Sequence, residues 1–172
     1  NRVLIIKSDE YQGPGGARNI GLKYASGEYI GFVDSYDYIK PEMYELMYNK
    51  AIENDCDLVE CGYFSEWKDK DMMLWDKNME GEVSFDNRVK MFITCGFICT
   101  KLFKRNIIIN SEIEFIPQMR FEDIDFLNRV YCRIHKVGII NKSLYYYRNN
   151  QESFTNKGNE MKYFDITNTF SI

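Results

Sequence analysis

Two acids spaced three residues apart, Asp34 and Asp37, are the side chains best suited to chemistry in this 172-residue chain. They follow the apolar run 29–33, which is typical of a buried strand, and a turn comes next. In α/β sheets, ligands bind beyond the carboxyl ends of the strands. Carboxylate oxygens at such an end suit Mg²⁺ or Mn²⁺ bridging a diphosphate, although acids after strands also cap turns. The spacing alone leaves both interpretations open.

A glycine-rich turn at residues 13–16 (Gly-Pro-Gly-Gly) leads into a predicted helix that ends at Ala25. Backbone N–H groups at the start of a helix can bind phosphate. The turn lacks the Lys-Ser/Thr pair of a P-loop and the spacing of a dinucleotide fingerprint, so a tight turn is the simpler interpretation. Arg18, one turn into the helix, could bind a diphosphate through two parallel hydrogen bonds, or it could be an ordinary solvated arginine.

An acidic cluster lies at the start of another predicted helix, at residues 121–135. The apolar side of this helix carries Leu127, Val130 and Ile134. Asp123 is in register with that side, at steps of four, seven and eleven residues. Partial desolvation raises the pKa of a carboxyl group toward the range of a general base, whereas an acid here could instead be the helix N-cap. Asp125 is predicted on a solvated side with Arg129, and Glu122 lies between the two sides.

Near the C-terminus, a strand-like run ends in three consecutive tyrosines and Arg148. Strand alternation places Tyr145 and Tyr147 on one face, with Tyr146 and Arg148 on the other. Arg148 precedes a polar segment and could close over an anionic ligand, although a surface arginine is the default interpretation.

The hydrophobic pattern predicts alternating strands and helices. Strands are predicted at 3–6, 29–33, 57–64, 137–140 and 144–148. Helices are predicted from the turn 13–16 through Ala25, at 41–54, 85–93, 104–110 and 121–135, and weakly from 159, with a hairpin or an excursion at 66–82. The order strand, helix, strand at the start implies a parallel pair with a right-handed crossover, in which 29–33 is the central strand. Pro41 suits the first position of its helix, and Gly27 suits the C-terminal cap of the helix before it. Ser84 is the predicted cap of helix 85–93.

Bulk composition indicates a single α/β domain over residues 1–172. No apolar run approaches the length of a membrane span, and the N-terminal residues do not resemble a signal peptide. A net charge of −4 argues against a nucleic-acid partner. The five cysteines lack C-x-x-C spacing and only one histidine is present, so we expect reduced thiols in a cytoplasmic protein and no zinc site.

Four motifs occur in an order that resembles bacterial family-two glycosyltransferases of the GT-A fold. The segment GPGGARNIGLKYASGEYIGFVDSYDYIKPEMY is similar to the family's glycine-rich turn, its A-R-N-x-G, its G-E-Y-I-x-F-x-D-S-D-D and its Pro-initiated helix. KLFKRNII, FEDIDFLNRV and SLYYYRNNQESFT resemble its K-L-[YF]-K-R, E-D and Y-Y-Y-R…S-[IV]-T segments. The resemblance covers nearly the whole chain and implies a GT-A-like, Rossmann-like mixed sheet flanked by helices.

By this resemblance, a sugar passes with inversion from a nucleotide-diphosphate donor to a hydroxyl of a glycan or lipid-linked acceptor. Asp34 and Asp37 would bind Mg²⁺ or Mn²⁺ together with the diphosphate, and Asp123 would be the catalytic base. The further candidates for substrate binding are Arg18, Asp34, Glu122 and Arg148. The implied setting is the synthesis of surface polysaccharide or glycoconjugate in the cytoplasm, including at the inner face of the membrane.

The chain departs from the family pattern in two places. Tyr36 stands where the family has an aspartate, and a neutral phenol is a poor ligand for Mg²⁺ or Mn²⁺. Metal would therefore rest on Asp37, with Asp34 acting through the ribose or a water molecule. The family's opening strand–helix–strand, which carries the base pocket, would precede Val3. We therefore expect an N-terminally incomplete domain that binds nucleotide poorly and whose exposed sheet edge could support a homodimer.

A function of a different class is also open. A truncated or degenerate, non-catalytic domain could bind a glycan or a protein partner through its surface tyrosines. Tyr36 and the total of 13 tyrosines favour this alternative. A nucleotidyltransferase on a similar sheet would need a basic activating loop near the N-terminus, which the sequence lacks.

Overall fold

The computed structural model describes residues 3–94 and 96–149. Its helices are α1 (Gly13–Tyr24), α2 (Met43–Glu53), α3 (Phe85–Thr94), α4 (Arg105–Asn110) and α5 (Glu122–Tyr131). Its strands are β1 (Tyr29–Gly31), β2 (Tyr38–Ile39), β3 (Leu58–Ser65), β4 (Lys70–Met72), β5 (Gly81–Glu82), β6 (Lys101–Lys104) and β7 (Lys136–Tyr147). Two short 3₁₀ helices span Lys77–Met79 and Ile98–Thr100. The helix expected from residue 159 lies outside the described residues.

All seven strands belong to one mixed sheet. Its main order is β1-β6-β3-β7-β2, while β4 pairs with β3 and β5 pairs with β7. Strands β3 and β7 run parallel, from Leu58 opposite Val137 to Ser65 opposite Tyr147, and their register shifts on both sides of Gly62. The other pairs are antiparallel. The predicted mixed sheet flanked by helices is confirmed.

Helix α2 shows how the sequence pattern produces the core. Met43, Met47 and Ala51 recur every four residues and are fully buried, because this side of the helix packs on β3 and β7. The adjacent stripe is only partly covered, since Ile52 remains 48% exposed. The predicted helix 41–54 is therefore confirmed, but it begins at Met43 rather than at Pro41.

The strand expected at 3–6 is absent from the structure. These residues have no regular secondary structure, and Val3 and Ile5 are 76% and 81% exposed. None of the strands in the described part of the chain lies beside them. An apolar run is a strand only when a neighbour accepts its backbone hydrogen bonds, and sequence cannot supply that neighbour.

The expectation that 29–33 is a central strand is wrong. Strand β1 has only three residues, and within the described sheet it pairs on one side only, antiparallel to β6. The chain leaves the sheet after Gly31, and Val33 is 45% exposed. The parallel pair of this sheet joins β3 and β7 instead, so the predicted crossover between the first two strands is also wrong.

Two further boundaries differ from the sequence pattern. Helix α1 ends at Tyr24, and the N–H of Ala25 caps it by donating to the Gly21 carbonyl at 3.0 Å. Gly27 is therefore not the cap. The two strands predicted at 137–140 and 144–148 form one strand, β7, because a register irregularity accommodates the polar residues between them.

The predictions for the shorter elements agree in part with the structure. A hairpin turns at 66–69 between β3 and β4, but the two strands inside 66–82, β4 and β5, pair with β3 and β7 and not with each other. The Ser84 hydroxyl accepts the Asn87 N–H at 3.1 Å at the start of α3, as predicted for a cap. None of the described helices is long and apolar enough to cross a membrane.

Candidate active site

The acidic turn, residues 34–37, begins where the chain leaves β1. The N–H of Asp37 donates to the carbonyl of Asp34 at 3.1 Å, which closes the turn. Asp34 keeps 48% of its side chain exposed, and the intervening Tyr36 is 63% exposed. Backbone atoms therefore close the turn, and the turn presents the Asp34 carboxylate to solvent.

Asp37 is held by the end of β7. One of its carboxylate oxygens accepts the Tyr145 hydroxyl at 2.6 Å, and the other accepts the Arg148 N–H at 2.9 Å. Burial raises the pKa of Asp37, the two hydrogen bonds oppose that rise, and the charge of Asp34 adds to it. The guanidinium of Arg148 is exposed and lies 3.4 Å from the Tyr36 carbonyl. The structure thus brings Arg148 to the acidic turn.

Arg18 links the acidic turn to the start of α5. Its guanidinium donates to Asp34 at 2.7 Å and to Glu122 at 2.5 Å, and it lies 5.4 Å from the centre of the Phe115 ring. Only 13% of the Arg18 side chain is exposed. Arg18 is therefore not a solvated arginine, and it joins two candidate residues that are far apart in sequence.

The start of α5 carries Glu122 and Asp123. Phe121 occupies the N-cap position in the left-handed conformation, with φ of 59°, so Asp123 is not the helix N-cap. Its carboxylate accepts the neighbouring Ile124 N–H at 3.1 Å. Burial, followed by the charge of Glu122, raises the pKa of Asp123 from 3.8 to about 6, while Arg18 opposes the rise. An upward shift of this pKa caused by burial is what the position of Asp123 on the apolar side of the predicted helix leads us to expect.

The prediction that Asp125 lies on a solvated side of α5 is wrong. Asp125 is only 5% exposed and forms an ion pair with Arg129, one helical turn later. Arg129 also donates to the carbonyl of Glu114. The segment before α5 therefore covers this side of the helix, a tertiary contact that helical periodicity does not reveal.

The glycines of residues 13–16 allow α1 to pack closely against the segment before α5. A Cβ at Gly15 would lie 3.0 Å from the Ile116 carbonyl oxygen and 3.1 Å from Glu122 Cγ. Gly13 has a φ of +70°, which favours glycine. Packing thus accounts for these glycines, which form the first turn of α1 rather than a separate tight turn before it.

Sequence reasoning missed two side chains beneath the acidic turn. Tyr145 is only 2% exposed and contacts the turn through its hydroxyl. Cys99 is buried, and its thiol interacts with Tyr145 and Asp34; burial raises its pKa to about 12. Burial also raises the pKa of Tyr147, to which Asp37, Asp34 and Asp123 contribute. Strand alternation placed Tyr145 and Tyr147 on one face of the strand, but it did not show that this face lies next to the acidic turn.

The acidic turn offers a divalent metal two carboxylate ligands, Asp34 and Asp37, rather than a complete ligand set. The described residues contain no group of three or more His, Cys, Asp or Glu side chains arranged to hold a metal. Asp34 and Asp37 nevertheless fit the way in which Mg²⁺ is commonly bound, through one or two carboxylates completed by substrate phosphates and water. Asp34 is the more accessible of the two.

Comparison with known proteins places these features in a family. The family described as Glycosyl transferase family 2 matches residues 1–111. The glycosyltransferase GlyG of Streptococcus pneumoniae is 28% identical over 99% of this chain and 60% of its own length. An uncharacterized glycosyltransferase of Bacillus subtilis, EpsJ, is 28% identical over 90% of this chain and 47% of its own. The chain thus spans about half to three fifths of the length of these relatives.

Two other relatives carry names that describe an activity or a ligand. The poly(ribitol-phosphate) beta-glucosyltransferase of Bacillus spizizenii is 32% identical over 86% of this chain and 23% of its own length. Crystal structures of S. aureus TarS 1–349 have the same fold. The complex with UDP-GlcNAc gives a TM-score of 0.76 at 23% identity, covering 92% of this chain and 46% of TarS. The complex with UDP gives 0.67 at 26% identity, covering 81% and 41%. The expected GT-A-like architecture is confirmed, and the chain belongs to glycosyl transferase family 2.

Proposed function

We propose that this chain transfers a sugar, with inversion, from a nucleotide-diphosphate donor to a hydroxyl acceptor, with Asp123 as the catalytic base. The observation that carries the proposal is the Arg18 bridge between Asp34 and Glu122. The bridge supports the proposal because it holds the partly exposed Asp34 carboxylate near the start of α5, where Asp123, with a pKa of about 6, follows Glu122 in the chain.

Asp123 has the properties of a general base at neutral pH. With a pKa of about 6 it is mostly ionised, yet basic enough to accept the proton of an acceptor hydroxyl as that oxygen attacks the anomeric carbon. In the proposed reaction the bond from the anomeric carbon to the diphosphate breaks on the opposite side, which inverts the configuration. The leaving diphosphate carries away the electron pair of that bond.

Arg18 and Arg148 are the proposed cationic contacts of the diphosphate. Arginine suits this role because its planar fork can donate two hydrogen bonds to phosphate oxygens. Arg148 is exposed beside the acidic turn and is available to a ligand. Glu122 would act on the donor through Arg18, whose guanidinium it orients.

We propose UDP as the nucleotide, because TarS, at 26% identity, has been solved with UDP. The proposed acceptor is a hydroxyl of a glycan or a lipid-linked glycan of the cell surface, made on the cytoplasmic side. The name of the B. spizizenii relative, a poly(ribitol-phosphate) glucosyltransferase, supports a surface polymer as the product class.

Asp34 and Asp37 are the residues that would hold Mg²⁺ or Mn²⁺. When bound, such a metal stabilises the negative charge on the leaving diphosphate. Tyr36 replaces an acid of the family pattern, so we expect weak metal affinity and a need for the diphosphate to complete the ligand set.

A second candidate function is glycan binding without catalysis. Its support is the set of exposed rings near the acidic turn, including Tyr36 at 63% and Tyr38 at 51% exposure. Aromatic faces of this kind can stack on sugar rings. This candidate requires no role for the pKa of Asp123.

Substitution Asp123→Asn tests the catalytic proposal. In the full-length protein, we expect the rate of UDP release from UDP-glucose or UDP-N-acetylglucosamine, measured with glycan acceptors, to fall by about 100-fold or more, since general bases contribute 10²–10⁴-fold. Asp71→Asn, in exposed strand β4, is the matched control and should leave the rate unchanged. Transfer that survives Asp123→Asn within a few-fold would exclude Asp123 as the base.

A further inference from the structure

A single hydroxyl group lies at the centre of the contacts that hold the acidic turn. The Tyr145 hydroxyl donates to Asp37 at 2.6 Å and accepts the backbone N–H of Asp34 at 3.3 Å. The phenol is 2% exposed, so water is not available to replace these partners. Burial, together with nearby negative charge, raises the pKa of Tyr145, which keeps the hydroxyl protonated and able to donate.

Tyr145 is itself fixed within the sheet. It lies opposite Ile39 of β2 on one side and opposite Tyr63 of β3 on the other. Three residues later, the Arg148 N–H donates to the second oxygen of Asp37. The Asp37 carboxylate therefore continues the contacts between β2 and β7 beyond the last paired residues, and it uses both of its oxygens to do so.

The acidic turn has few other restraints of its own. The strands on either side of it, β1 and β2, have three and two residues. Within the turn, the backbone hydrogen bond from Asp37 to Asp34 closes the loop. The side chain of Asp34 is held from outside, by Arg18. The position of the turn relative to α5 therefore depends on contacts reaching it from β7, from α1 and from the buried Cys99.

We propose that Tyr145 is a positioning residue for nucleotide-diphosphate binding, which it supports by holding the Asp34–Asp37 turn against the end of β7. This inference rests on the proposed function. Carboxylates that bind metals are commonly oriented by hydrogen bonds from other protein groups. Loss of such a partner costs about 10- to 100-fold in metal affinity or activity. Tyr145 touches no reacting atom in this scheme and acts through Asp37 and Asp34.

Tyr145→Phe removes the hydroxyl while keeping the ring that packs in the core. We expect binding of UDP in the presence of Mn²⁺, measured by titration calorimetry, to weaken about tenfold. Tyr146→Phe is the matched control, since it removes a hydroxyl from the next residue of β7, on the opposite face. That variant should bind UDP as the unmodified chain does. Thermal unfolding curves verify that both variants are folded at the temperature of the titration.

The double variant Tyr145→Phe with Asp37→Asn distinguishes a positioning role of Tyr145 from a general loss of stability. If Tyr145 acts through Asp37, Tyr145→Phe should weaken binding in the unmodified chain and add little to Asp37→Asn. Equal weakening in both backgrounds, or unchanged binding in Tyr145→Phe, would overturn the proposal. If Asp37→Asn binds too weakly to measure, the single substitution and its control decide the question.

The same titrations separate this inference from the proposed function. A full-length protein, extended to the length of its relatives, that binds no UDP with or without Mn²⁺ overturns the proposed donor site and the role of Tyr145 together. An unmodified chain that binds UDP, with a Tyr145→Phe variant that binds equally well, overturns only the role of Tyr145.

Discussion

The Glu60–Lys101 ion pair and the Arg18 cluster use similar side chains but differ in their access to solvent. Glu60 and Lys101 are 2.7 Å apart and 0% exposed. In the Arg18 cluster, Asp34 keeps 48% of its side chain exposed, although Arg18 and Glu122 retain only 13% and 10%. One cluster is closed to any ligand, whereas the other presents a carboxylate at the surface.

The closed pair connects two neighbouring strands. Glu60 of β3 and Lys101 of β6 are direct register partners. The Thr100 hydroxyl donates to the second oxygen of Glu60 at 2.9 Å, and Lys101 donates to the Phe97 carbonyl at 2.9 Å. Lys101 also lies 5.0 Å from the Trp75 ring centre. Burial raises the pKa of Glu60, and the charge of Lys101 opposes that rise. All of these contacts come from within the chain, so the pair stabilises the fold.

The Arg18 cluster, the open one of the two, joins elements that are distant in sequence. Its Asp34 carboxylate remains partly exposed to solvent. Arg18 of α1 meets Glu122 of α5 across 104 residues of sequence. The exposed Asp34 lies in the acidic turn, and the exposed Arg148 contacts the same turn at the Tyr36 carbonyl. The comparison shows that the exposure of one member distinguishes a charge cluster that a ligand could reach from one that no ligand can reach.

The largest expected effect on stability comes from breaking the closed pair. Lys101→Met leaves Glu60 buried without its cation, which should lower the free energy of unfolding by about 3–5 kcal/mol. Urea denaturation measures the loss. The double substitution Glu60→Leu with Lys101→Met should recover most of it, since an apolar pair of similar volume often replaces a buried ion pair without loss. A single variant as stable as the unmodified chain would contradict a structural role.

Breaking the open cluster should affect binding more than stability. Arg18→Met should cost about 1–3 kcal/mol of unfolding free energy, because Glu122 loses its cation in a site where it is only 10% exposed, whereas Asp34 can be solvated. The same variant should lose most of its affinity for UDP, as measured by calorimetry. Lys23→Met, at the exposed end of the same helix, is the matched control for the removed charge. Undiminished UDP binding in Arg18→Met would show that the cluster is only structural.

A further expected effect is a pH dependence of stability that originates at Asp123. Its pKa rises from 3.8 to about 6 on folding, so the folded state binds more protons between these values. Its contribution to stability should therefore be fully present below about pH 4 and lost as the pH rises through about 6. Relative to Asp123→Asn, the unmodified chain should be more stable at pH 4 than at pH 7, as measured by urea denaturation. A difference that does not vary with pH would contradict the raised pKa.

Particular elements show how far the sequence could be interpreted. The stripe of Met43, Met47 and Ala51 predicted α2 and its buried side, because repeats of three to four residues report directly on helix packing. The same argument failed for Asp125, since the segment before α5 covers a side that appeared polar. It failed again at residues 3–6, where an apolar run has no strand beside it in the described sheet.

The sequence alone determined the types of most elements, the candidate residues Arg18, Asp34, Glu122 and Asp123, and the family. Local periodicity and motif order carry that information within short segments. The tertiary structure decided the strand order, the joining of two predicted strands into β7, and the bonding of Asp37 to Tyr145. That hydrogen bond connects residues 108 apart in sequence. Contacts of this range depend on how sheet and helices pack, which no local pattern encodes.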